Sequence, residues 1–111
     1  MGARVDVTVP TIRFDLDRVP GSGAVLDGKV VSACGTVFLL PAFTTTTNNQ
    51  AVIRDLAVPA GLVQSICLHY RFGGRDYKRE WTDAATKTID QPVETISANM
   101  RTNQMASGTC P

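Results

Sequence analysis

Two adjacent glycines, Gly73 and Gly74, separate two runs rich in β-branched and aromatic residues, Val63 to Phe72 and Arg75 to Thr82. A two-residue hairpin turn needs positive φ at its centre, and glycine supplies it without a side-chain clash. The pair therefore predicts a β-hairpin, and the turn length fixes its register. Phe72 faces Arg75, Tyr70 faces Tyr77, Leu68 faces Arg79 and Ile66 faces Trp81. On the opposite face Arg71 meets Asp76, His69 meets Lys78 and Cys67 meets Glu80. Successive side chains on a strand point to opposite sides. The aromatic and aliphatic set is thus expected to look into a core, and the polar set to look at solvent.

The same period of two recurs elsewhere. Ile12, Phe14 and Leu16 alternate with Arg13, Asp15 and Asp17, and Val5, Val7 and Val9 alternate with Asp6 and Thr8. Both patterns predict strands with one apolar face, and they place Asp15 and Asp17 on the solvent side. Pro10 between them predicts a kink or an edge position, because proline has no N–H to donate. Arg18 to Gly23 is a loop by composition, and Asp27-Gly28 predicts a tight turn. Lys29 to Leu40 reads as strand, interrupted at Gly35 by a bulge or a break. Val37 to Leu40 lacks alternation, which predicts cover on both faces, and Pro41 ends the run. Thr44 to Gln50 reads as an exposed loop, although its threonines could extend a strand. Ala51 to Val58 is a strand and Pro59-Ala60-Gly61 a turn. Asp83-Ala84-Ala85 reads as a turn or one helical turn. Thr86 to Ile89 and Val93 to Ser97 complete the strands.

No stretch has helical periodicity. The expected architecture is all-β: an antiparallel β-sandwich, immunoglobulin-like or jelly-roll-like, with a small barrel as the alternative. Residues 1–97 form one β-domain, and 98–111 a C-terminal tail or an arm that orders against a partner. A chain of 111 residues suits one domain, and 43% hydrophobic with 19% charged residues describes a globular chain. The net charge of +1 gives no long-range attraction to nucleic acid or anionic membrane. No apolar run approaches the ~20 residues that span a bilayer, and the first residues lack a signal-peptide apolar core.

The cysteines, Cys34, Cys67 and Cys110, are odd in number and widely spaced. That pattern predicts free thiols in a protein made in a reducing cytosol. A single disulfide is also compatible, but the sequence does not choose the pair. His69 is the only histidine, and it shares a strand face with Cys67. A Cys–His nucleophile pair there would lack a third orienting group, and a metal site with Cys34 or Cys110 would lack compact zinc spacing. No GxSxG, HExxH, P-loop or GxGxxG pattern occurs. The expectation is no enzyme, with no catalytic, metal or cofactor residues.

The hairpin instead supplies candidate partner contacts: Arg71, Arg75, Asp76, Lys78 and Arg79. Basic residues interleaved with aromatics also describe a single-stranded nucleic-acid surface, the alternative reading for the segment from Tyr70 to Trp81.

Asp27-Gly28-Lys29-Val30, the run from Thr36 to Pro41, Ala51-Val52-Ile53, Pro59-Ala60-Gly61 and the Gly-Gly hairpin together resemble small β-sandwich domains of phage virion proteins. Minor tail and capsid decoration proteins of actinobacterial phages carry similar passages. The resemblance spans about residues 25–97 and departs from the pattern at Ala33-Cys34 and in the cysteine-containing tail. It implies a structural or adhesive role in a virion, assembled from chains made in the host cytoplasm. The implied partners are other virion proteins and further copies of the chain, with no membrane and no catalytic residues to carry over.

Overall fold

The computed structural model describes residues 10–21, 23–47, 50–81, 88–101 and 105–111. Its elements are all strands: β1 (Thr11–Val19), β2 (Val25–Ser32), β3 (Val37–Thr44), β4 (Gln50–Ala57), β5 (Gly61–Phe72), β6 (Arg75–Trp81), β7 (Thr88–Ile89), β8 (Val93–Asn99) and β9 (Ala106–Ser107). Val5 to Val9, Asp83-Ala84-Ala85 and the start of the Thr86–Ile89 run lie outside the described residues. No helix of the described residues is long and apolar enough to cross a membrane.

The strands form two sheets, in the orders β4-β1-β8 and β3-β2-β5-β6-β9, with β7 paired to the start of β5. They pack face to face as a small β-sandwich rather than closing into a barrel. One pairing departs from an antiparallel sandwich: β8 runs parallel to β1, with Phe14 beside Ile96. These strands are joined through most of the chain, so no tight turn constrains their relative direction.

The core follows the alternation. Ile12, Phe14 and Leu16 of β1 meet Leu26 and Val30 of β2 and Ile66, Leu68 and Tyr70 of β5, all essentially without solvent contact. Burying a side chain of this size contributes about 1.5–3 kcal/mol. Arg13 and Asp15 project outward between them, and Arg13 forms a two-pronged ion pair with Asp55, its register partner on β4.

The hairpin has the register that its glycines dictate, from Phe72–Arg75 to Ile66–Trp81. Gly73 and Gly74 have φ of 60° and 75°, the paired positive values of a two-residue turn whose twist matches its strands. Gly35 has φ of 88° and separates β2 from β3.

Four local expectations are corrected. Asp27-Gly28 is no turn; it lies inside β2, where the pairing with β3 bulges between Leu26 and Gly28. Glycine is needed there for closeness, since a Cβ would stand 2.9 Å from the Cys67 carbonyl oxygen. Pro41 does not end β3, because β3 is the edge of its sheet and tolerates a missing N–H. Val37 to Leu40 is covered on one side only: Phe38 and Leu40 turn to the core, while Val37 and Leu39 point outward and are 50% and 67% exposed. Finally, β1 continues through Arg18, whose φ of 56° accommodates an irregularity between Leu16 and Val19.

The loop before β2 is clipped to the end of β3. Buried Thr45 donates its hydroxyl to the Gly21 carbonyl (2.8 Å) and accepts from the Ala24 N–H (3.1 Å). The polar run thus begins as strand and core, and only then becomes exposed. Tyr70 donates its hydroxyl to the Pro20 carbonyl beside this clip. Burial pushes the Tyr70 phenol up to about 12.

Candidate partner-binding face

The alternation that sends Ile66, Leu68 and Tyr70 inward sends Cys67, His69 and Arg71 to the outer face of the large sheet. Register then lines up neighbours. Asp27 and Lys78 flank His69, Lys29 and Glu80 flank Cys67, and Val25 and Asp76 flank Arg71. Next to Lys29, on the edge strand, stands exposed Leu39.

His69 is the centre of this face. Its Nδ1 lies 3.1 Å from Asp27 Oδ1 and its Nε2 lies 2.8 Å from Asp76 Oδ1. A neutral imidazole donates from one nitrogen only, so both contacts are hydrogen bonds together only in the imidazolium form. The three side chains tie β2, β5 and β6 across the sheet. Beside them Lys78 Nζ pairs with Glu80 Oε1 at 2.6 Å.

Cys67 is bonded to Cys110. This overturns the expectation of three free thiols and removes Cys67 as a nucleophile beside His69. It also places the polar hairpin face partly under cover. β9 pairs with β6, Tyr77 opposite Ser107 and Lys78 opposite Ala106, and the Gly108 N–H donates to the Asp76 carbonyl. Residues 105–111, expected as part of a tail or arm, therefore lie against the chain's own hairpin. A groove of about 360 Å³ runs between Cys110 and the β2–β3 edge, lined by Asp27, Lys29, Leu39, Pro41 and Ala42 among others.

Cys34 remains free and exposed at the β2–β3 turn. The Ser32 hydroxyl at 3.0 Å, then the Thr36 hydroxyl at 3.4 Å, lower its thiol to about 7 by stabilising the thiolate. Among the described residues no group of three or more His, Cys, Asp or Glu side chains is arranged to hold a metal ion.

The five residues predicted to contact a partner do not share one surface. Arg71, Asp76 and Lys78 lie on the outer face, with Asp76 and Lys78 engaged in the ion pairs above. Arg75 is exposed beside the turn. Arg79 lies on the inward side, donating to the Asn99 carbonyl at 3.2 Å, 5.6 Å from the Trp81 ring centre. Asp27, Lys29 and Leu39 were missed as members of this face because Asp27-Gly28 reads as a turn and Leu39 as core. The signal available was that Val25-Leu26 before Asp27-Gly28 and Val30-Val31 after it keep an apolar, strand-prone pattern across the pair.

No protein-family model matches the chain, and no curated protein matches it.

Proposed function

We propose that this chain is a non-enzymatic structural subunit of a virus particle, a phage capsid decoration or minor tail protein, acting through protein–protein contacts. The observation that carries the reading is the outer face of the large sheet. Exposed Leu39 and Val37 sit along one part of it with Lys29 and a shallow groove, and Arg71 stands beside exposed Val25 further along. Arginine next to exposed apolar side chains on a broad face suits protein recognition. A rigid sheet supports such a face without further ordering on binding.

The alternative, single-stranded nucleic-acid binding through the hairpin, has less support. Base stacking needs accessible aromatic faces. Tyr70 is fully buried, and Tyr77 and Trp81 pack against the core.

The test is to purify particles of the encoding virus on a density gradient and quantify the chain across fractions. A particle subunit co-migrates at a constant copy number per particle after a high-salt wash. A chain confined to the soluble fractions, or released together with nucleic acid by nuclease, overturns the reading.

A further inference from the structure

The final strand is held mainly by one covalent bond. β9 contributes two paired residues, both exposed, and Gly108 adds one hydrogen bond. Met105 packs against the core from one side. So short a pairing contributes little by itself. The Cys67–Cys110 disulfide is what closes the strap formed by residues 105–111 over the hairpin. The same strap on another copy carries the same residues, and fits the same β6 edge and the same Cys67.

We propose that this strap exchanges between copies: residues 105–111 of one chain pair with β6 of a second chain, and Cys110 of the first bonds Cys67 of the second. The surface is thus an interface for a second copy. Swapping identical elements gives a closed, two-fold arrangement at small cost, because every contact of the closed monomer is remade.

The chemistry needs only a monothiol as exchange partner. Its thiolate attacks the Cys110 sulfur, breaking the Cys67–Cys110 bond and leaving a mixed disulfide on Cys110 and a thiolate on Cys67. Cys67 of the second copy then attacks the mixed disulfide on Cys110 and expels the monothiolate. When both copies react, two monothiolates enter and two leave, the number of protein disulfides is unchanged, and no oxidant is consumed. A short tether gives the strap an effective concentration of order mM at its own β6. Exchange is accordingly expected in crowded assemblies and disfavoured in dilute solution. Only that expectation of crowding rests on the assembly reading above.

The experiment mixes equal amounts of light and ¹⁵N-labelled full-length Cys34→Ser protein at ~1 mM, with a substoichiometric monothiol. The variant excludes links through Cys34. After alkylation and digestion, mass spectrometry reads peptide pairs joining Cys67 and Cys110. The expected result is mixed-isotope pairs rising toward about a quarter of the total, because closure between copies at ~1 mM competes about evenly with the tethered strap and half of random intermolecular pairs are mixed, and falling away on hundredfold dilution before thiol addition. Only same-isotope pairs overturn the proposal, whether Cys67 becomes alkylated or the disulfide stays shut. Absence of exchange in the pure protein leaves the particle assignment standing. Absence from purified particles, with exchange present, removes the assignment and keeps the interface.

Discussion

Cys110 is bonded to Cys67 from beyond the intervening strand β6, so the end of the chain and the hairpin form one covalent unit 43 residues around. Closing a loop of that length lowers the entropy of the unfolded chain. The Cys110→Ser variant, or the reduced wild type, should therefore lose roughly 3–4 kcal/mol of stability on the chain-entropy estimate. Urea unfolding followed at Trp81 reads this. Equal midpoints with and without reductant would mean that the bond does not restrict the unfolded chain and adds nothing to stability.

Gly74 holds φ of 75° in the turn that fixes the β5–β6 register. Gly74→Ala should cost about 1 kcal/mol, because an L side chain is strained there. The same replacement is sterically open, with nothing within 4 Å of the added Cβ. Any larger loss would point to a shifted register, which the amide exchange pattern of Tyr70 and Tyr77 would reveal.

The hairpin was legible in the sequence because its turn chemistry and its period-two pattern point to the same register. Ile12, Phe14 and Leu16 were legible for the same reason. Gly28 was not: glycine after aspartate signals a turn, and only the nearness of the Cys67 carbonyl explains it as a strand residue. Leu39 reads as core by composition, but the alternation along β3 puts it on the outer face of the sheet, in solvent. The pairing of Cys67 with Cys110 depends on where residues 105–111 travel, which no local pattern encodes. The Asp27–His69–Asp76 bridge was hidden by the same misreading of Gly28.

Tyr70 is an internal probe of the core. Its folded phenol ionises only at about 12, against the ordinary value of 10.0. Between these values the unfolded state has lost the proton that the folded state keeps, so stability should fall as pH rises from about 10 and level off above about 12. Tyr70→Phe should remove that alkaline loss and the hydrogen bond to Pro20, costing about 1 kcal/mol at neutral pH. Thermal unfolding of both proteins across this range measures it. An unchanged alkaline slope in the variant would contradict the assignment.

Cys34 should react with iodoacetamide at a rate that is half-maximal near pH 7, where its thiol titrates. Ser32→Ala removes the largest cause of the lowering and should move the midpoint upward. A midpoint unaffected by Ser32→Ala would contradict the hydrogen bond at 3.0 Å as its source.

In the proposed particle, the hairpin side of the large sheet, and not the small sheet, would carry the partner contacts. Arg71 and Arg75 are exposed on the hairpin, while Asp15 and Asp17 are exposed on β1 of the small sheet. The direct measurement is the copy number of the chain in gradient-purified particles from viruses encoding Arg71→Glu/Arg75→Glu or Asp15→Lys/Asp17→Lys, with folding of each variant checked by its thermal transition. Reversing two interfacial charges is predicted to lower incorporation about tenfold or more for the hairpin variant, with the small-sheet variant at the wild-type level. Wild-type incorporation of the hairpin variant, or a loss confined to the small-sheet variant, would contradict the account.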